Sequence, residues 1–590
     1  MEDLDKRTPE MMKLAGNKAD GWNYRQRRHE AWREIYDLYK NTVIINRLTQ
    51  RQSVNVPMMK QHIGSLLKDI DDMPVIYLEN LDNDKEKEVF LNEYWKWTAQ
   101  NNNMELQDVV DKKQVLLFGR TFDQWQIEDG AIKQTIIDPQ DILVSRYTDP
   151  SDLHSSRFLI HTHIYKPLRE LKENEEYDQQ AVKKLEDFYA TDLGLHKIAD
   201  NELMAIEKSQ KLSDLGVTDV LQPHLGESMV EINLHFVYDK GEGDEEEELW
   251  VKTEADGQVI LKREKLEDIM GVTKDHWFRT HFPYESWADD LERQDFWSDG
   301  KGDIVRTPNK IANSYWSQLV ENRTLRNYGM HYYDGTNESF QPSTFNPVPW
   351  GWYPVPGKPS DVLSVVDIPD LTESLDELQY LGDLTERATG ATATQQGTQT
   401  AREVTLGEVK LALGEAKERT KGISKFYTEA WYRRATLFLK LVEANASKLD
   451  AVKIWKKGVN TDAVYGKLVE AESWHTKSGY QAKVWNQDDK NTHDSDLLQK
   501  INAAVSLIPG NQKLIDIYQR KLLEFARVTP EEMMSVLEEE RRKREVIANQ
   551  GVQGGVVPNP VNPGMNPQPA QVAQLPPSMG GPGAPGQSPL

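Results

Sequence analysis

The chain has 590 residues, of which 28% are charged and 38% hydrophobic, with a formal net charge of −24 and no cysteine. That length exceeds a single hydrophobic core, so several domains or an elongated subunit are expected. The acidic balance excludes a basic groove that grips nucleic acid, though not a protein that touches it without holding it; the missing cysteines exclude disulfides, thiolate catalysis and cysteine zinc sites, and suit a reducing compartment.

The first residues, "MEDLDKRTPEMM", are too charged for a secretory signal. No run of 18 apolar residues offers a membrane span, so a soluble, cytoplasmic protein is expected. "DGWNYRQRRHEAWREIYDLYKN" predicts a helix with Trp22, Trp32, Tyr36 and Tyr39 as its apolar contacts. "VNVPMMKQHIGSLLKDIDDMPVIYLENLDN" predicts a helix ending before Pro74, then a strand. From 108 to 165 a helix gives way to several strands, joined by "EDG" and "DPQD" turns. Residues 200–216 form an amphipathic helix through Leu203 and Ile206. Residues 229–266 alternate with period two, predicting strands at 231–236, 249–253 and 259–262 with "ADGQ" turning the last pair. The next helix lies in "DIVRTPNKIANSYWSQLVENRTLRN", with Thr307 as cap, Pro308 as first residue and Ile311, Tyr315, Leu319 and Asn322 as its stripe. Helix, small β meander, helix reads as a hairpin carrying a distal knob.

A further helix is predicted in "DIPDLTESLDELQYLGDLTERATG", with Asp370 as cap and Glu373 three residues on. Then comes a bare stretch: residues 388–401 hold no charge, no aromatic and no large apolar side chain, and Arg387 and Arg402 bracket it. After it, 402–446 predicts one long helix, about 66 Å at 1.5 Å per residue. Val409, Leu413, Ala416, Ile423, Phe426, Ala430, Leu437 and Leu441 keep to one face, with Glu, Lys and Arg opposite. Gly407, Gly414 and Gly422 recur at near-heptad spacing, as close approach of another helix would require. "VTPEEMMSVLEEERRKREVIANQ" opens a last helix with Thr529, Pro530 and Glu532 as its capping signals. Residues 551–590 carry no charge and recurrent Pro and Gly, a composition that stays disordered.

Candidate sites thin out on inspection. His161 and His163 would share one face of a strand as metal ligands do, but two more ligands are wanting and a surface strand is the expectation. "GEGDEEEEL" lacks the spacing of an EF-hand and reads as a charged hairpin loop. Gly300-Lys301-Gly302 lacks Walker spacing, and neither a nucleophile elbow nor a kinase signature occurs. No catalytic residue, metal ligand or cofactor is assigned.

Taken in order, the pieces resemble the portal, or head-to-tail connector, proteins of tailed bacteriophages, most like those of short-tailed phages. The resemblance rests on "VNVPMMKQHIGSLLKDIDDMP"; on Phe118-Gly119-Arg120 and Asp138-Pro139 in the strand-rich region; on "FWSDGKGDIVRTPNKIANSYWSQLVENRTLRN"; and on "RATGATATQQGTQTAREVTLGEV" with Thr400-Ala401-Arg402-Glu403-Val404. It implies an α+β elongated subunit: wing 1–199, first stem helix 200–228, clip 229–290, second stem helix 291–330, wing return 331–470 with channel loop 388–401 and long helix 402–446, helical crown 471–548 and disordered tail 549–590. It also implies a ring of twelve copies at one capsid vertex of the virion, assembled in the host cytoplasm. Double-stranded DNA would be packaged and ejected through that ring. Terminase, head-completion or tail adaptor proteins, and the major capsid and scaffolding proteins are the implied partners, with no membrane and no catalysis.

On this reading the channel loop comprises Arg387, Thr389, Gly390, Thr392, Thr394, Gln395, Gln396, Gly397, Thr398, Gln399 and Arg402. Short neutral side chains offer phosphate single hydrogen bonds without a deep electrostatic well, which suits a conduit. Partner docking is expected at the clip, through Glu245, Glu246, Trp250, Trp277, Phe278 and Phe282. The alternatives are a metal-dependent DNA-processing enzyme, which needs convergent carboxylates, and a virion adaptor or scaffold ring that does not line the channel.

Overall fold

A computed structural model describes residues 8–42, 54–68, 70, 73–82, 84–217, 227–241, 246–292, 295–328, 331–333, 363–365, 374–390, 406–445, 449, 452–457, 464–469, 477–485 and 500. The chain divides into two compact units, Met1–Gly458 with Asp462–Asp496, and Val459–Thr461 with Leu497–Leu590. The second falls almost wholly outside the described residues, as do the cap at Asp370, the helix from Thr529 and the Pro/Gly-rich tail.

The first unit mixes helix and sheet. Helix α1 (Pro9–Lys40) starts eleven residues before the predicted Asp20, because Thr8 caps it and Pro9 takes the first turn. After α2 (Met58–Leu66) and β1 (Val75–Asn80) come α3 (Lys85–Asn101) and α4 (Met104–Phe118), then β2 (Arg120–Glu128), β3 (Ala131–Ile137), β4 (Ile142–Val144) and β5 (Phe158–Pro167). Helices α5 (Leu168–Glu173), α6 (Gln179–Tyr189) and α7 (Asp192–Leu215) lead into β6 (Met229–Asp239), β7 (Glu248–Ala255) and β8 (Val259–Lys265), followed by the short α8 (Leu266–Met270). On α7 the buried line is Asn201, Ala205 and Ser209; Leu203, expected inward, is exposed.

The predicted strands exist, but they do not form a separate knob. β6 pairs antiparallel with β5, giving one sheet in the order β4-β5-β6-β7-β8. β9 (Tyr284–Ala288) pairs with β2 beside β3. The span 229–290 is therefore part of the body. Period-two patterning reports that a strand has an inner face and does not say which strand borders it; a lone meander would also leave β6 with an unpaired edge.

The helix–strand–helix arrangement occurs later in the chain. Helix α9 (Lys301–Tyr328) and helix α10 (Ser374–Thr389) pack together, and between them in sequence β10 (His331–Tyr333) and β11 (Leu363–Val365) pair antiparallel. α9 begins two turns before the expected cap, leaving Pro308 inside it. That early start is possible because Gly300 and Gly302 press on the end of α4. A Cβ on Gly302 would lie 2.4 Å from the Leu117 carbonyl oxygen, and one on Gly119 would lie 2.1 Å from that of Ser298. Gly119 also sits at φ +86°, so that corner admits glycine alone.

Helix α11 (Leu406–Asn445) fulfils the long-helix expectation. Ile423, Ala430, Leu437 and Leu441 are buried as predicted, joined by Tyr427, Trp431 and Phe438 in the main core with Trp32, Trp125 and Trp297. β12 (Val452–Lys457) and β13 (Val464–Val469) pair with each other. Residues 480–485, placed by sequence in a helical crown, instead form β14 (Tyr480–Trp485), paired antiparallel with β1; Tyr480, Ala482 and Val484 alternate with Gln481 and Lys483, the period of a strand.

Candidate functional site

In sequence the bare segment joins two helices that the body anchors, α10 and α11. Its leading edge is the end of α10. Thr389 is buried, its hydroxyl donates to the Thr385 carbonyl at 2.9 Å, and it lies 3.2 Å from Nδ1 of His62 on α2. Burial lowers the His62 pKa, keeping that ring neutral. Gly390 then takes φ +84°, while its N–H donates to the Glu386 carbonyl and closes the helix. Arg387 is exposed one turn earlier.

On the far side, α11 is fixed by a buried ionic cluster. Arg434, 1% exposed, reaches both oxygens of Asp111 on α4 at 2.9 and 3.1 Å and Oδ1 of Asp123 on β2 at 3.0 Å. Trp287 Nε1 donates to Asp111 at 2.9 Å, and Gln134 to Asp123 at 2.9 Å. Two turns earlier on α11, Tyr427 donates to Asp108 at 2.6 Å, itself paired with buried Lys112. Burial pulls the Arg434 pKa down, but Asp111 and Asp123 outweigh it and hold the guanidinium charged. Burial raises the Asp123 carboxyl to about 6 against the pull of Arg434. This cluster is absent from the sequence reading, which put Arg on the outer face; no periodic signal marks one buried arginine among "YRRA".

α9 supplies the third support. Pro57 gives α2 no side-chain cap, and Asn309, wholly buried, replaces it. Its Oδ1 accepts from the Met59 N–H at 2.9 Å, and its Nδ2 donates to the Val56 carbonyl at 3.0 Å. Since α2 touches Asn309 near the start of α9 and Thr389 at the end of α10, the second helix returns to the level from which the first departs. The two form an antiparallel hairpin.

Of the other loop residues, Thr392, Thr394, Gln395, Gln396, Gly397, Thr398, Gln399 and Arg402 lie outside the described residues, as does Glu245. The chain matches no known family model and no curated protein sequence.

The residues assigned to docking are dispersed. Glu246 is exposed near the β6–β7 turn. Trp250 is half-buried under Lys265, whose ammonium lies 5.6 Å from its ring centroid. Trp277 stacks on His281 at 3.7 Å. Phe278 and Phe282, expected on a surface, are fully buried in the main core. Phe282 meets Phe236 of β6 edge-on, with ring centroids 6.3 Å apart. His161 is likewise buried, 3.0 Å from the Tyr284 hydroxyl, while His163 bonds Asp141 at 3.0 Å. A bulge between His161 and Ile164, with His163 at φ +57°, breaks the alternation that would have aligned the two rings. Among the described residues no three His, Asp or Glu converge as metal ligands, and no helix is long and apolar enough to cross a membrane.

Proposed function

We propose that the chain is a portal-type subunit: one copy in a ring at a virion's capsid vertex that conducts double-stranded DNA and serves as the docking platform for terminase and tail adaptors. The observation that carries this reading is the order hairpin, bare segment, long helix, with both flanking helices anchored at buried points, Thr389 on His62 and Arg434 on Asp111 and Asp123. An uncharged segment suits contact with a passing polyanion, since each phosphate neutralised by a cation would add to a salt-dependent grip. The hairpin α9–β10–β11–α10 takes the stem and clip roles first assigned to 200–330, so the docking platform moves to residues 329–373.

The test has two parts. Native mass measurement of the purified chain is expected to give a closed multi-copy assembly; a monomer under all conditions rejects the reading. Lysine at Thr392, Gln395 and Thr398 is then expected to leave assembly intact and slow DNA packaging at low ionic strength, with relief as salt rises. Normal packaging by that variant at low salt would remove the bare segment from the DNA path.

A further inference from the structure

We propose that the outer half of α9 and the back of α10 are the two complementary halves of one interface, whose partner is a second copy of this chain. The pairing stands on the geometry below; its closure into a ring rests on the function proposed above.

On α9 one helical line runs through Val305, Asn309 and Ala312, all buried in the body. The same line continues at helical spacing through Trp316, Val320 and Arg323. There no described residue covers it: Trp316 is 39% and Val320 46% exposed. On α10 the side away from α9 presents Tyr380 and Leu384, one turn apart and 67% and 49% exposed. Each helix thus shows an exposed apolar pair that no other described residue covers.

Charge and height match the two pairs to each other. On the outer half of α9 Arg323 and Arg326 outnumber Glu321, the inner Lys301, Arg306 and Lys310 being paired with Asp289 and Glu34, while α10 carries four acids to one arginine. Asn309 and Thr389 both meet α2 and so stand within about a turn of one another. Seven residues on, Trp316 stands about 10 Å above Asn309; seven back from Thr389, between Leu384 and Tyr380, the same rise is reached. A rotation about an axis along the hairpin preserves height. It brings a neighbour's Tyr380 and Leu384 level with Trp316 and Val320, and its Asp376 and Glu377 level with Arg323. The two surfaces differ, so the contact is head-to-tail, the kind that closes into rings when repeated. Tryptophan and tyrosine facing each other with charges at the margin also match the make-up of a protein interface.

The experiment uses two full-length variants, Trp316→Glu with Val320→Glu, and Tyr380→Glu with Leu384→Glu. All four positions are exposed, so circular dichroism should show the wild-type secondary structure and a cooperative melt. In native mass spectrometry each variant alone is expected to lose the multi-copy species and run as a monomer. Mixed in equal amounts at high concentration, they should form one-to-one pairs and nothing larger, because only one undamaged junction can be made. Assembly of either folded variant like the wild type, or a mixture that stays monomeric, overturns the interface. In the first case an assembled wild type leaves the portal reading standing, whereas a monomeric wild type overturns both.

Discussion

Arg434 shows how much can depend on one side chain that sequence patterning assigns to the wrong face. It is buried against Asp111 and Asp123, and its removal leaves two carboxylates buried without a cation. Breaking such a cluster from one side costs about 3–5 kcal/mol, so Arg434→Leu is expected to lower the unfolding free energy by that amount in a denaturant titration. Replacing Arg434, Asp111 and Asp123 together by apolar residues should recover much of the loss. His161 gives a second test, in pH. Burial, helped by Lys208, lowers its pKa from 6.5 to about 3 in the folded chain. Between those values the unfolded state binds a proton that the folded state refuses, so stability falls as pH drops below 6.5. The slope is about 1.4 kcal/mol per unit, or about 2 kcal/mol at pH 5. Asp123 and Asp289, both raised to about 6, act in the opposite sense and gain stability as pH falls toward 3.8. The effect is therefore read as a difference: His161→Phe should show a flatter stability profile than the wild type between pH 6.5 and 5. Parallel profiles would remove His161 as the cause.

Elements were more legible than their neighbours. The long helix was readable because its apolar residues recur at helical spacing, and the strands of 229–266 because theirs alternate. Pairing was not readable, since nothing local in β6 names β5 as its partner across the intervening helices. Phe278 and Phe282 were misplaced for the same reason: an aromatic reads as surplus until the wall it packs against is known. At the candidate site the bare segment was conspicuous by composition, but its anchors His62, Asn309 and Arg434 were not, being single polar residues within amphipathic helices. Asn309 offers the test at this scale, because it caps α2 from a different helix. Asn309→Ala removes both bonds; the Val56 carbonyl keeps the Met58 N–H, but the buried Met59 N–H is left unpaired, a loss worth about 1–3 kcal/mol. Hydrogen exchange at the start of α2 should rise more than elsewhere, and uniform acceleration across the unit would count against a capping role.

For the whole chain, the two units predict separate consequences of truncation. Residues 551–590 carry no charged side chain and offer little to pack, so a chain ending at 550 is expected to keep the melting temperature and assembly state of the full chain. Light scattering and calorimetry on the two would check this, and loss of assembly would refute it. A chain ending at 470 should behave very differently, because β1 would lose β14. That pairing joins Asn80 to Tyr480, so a ribosome making about 5–20 residues per second emits the second strand roughly 20–80 s after the first. Through that interval β1 waits with an open edge, a template for any other extended segment in reach. The pairing therefore sets a constraint in time: a nascent chain must guard one strand for most of its own synthesis, and expression conditions that slow elongation should raise the insoluble fraction before any finished molecule exists.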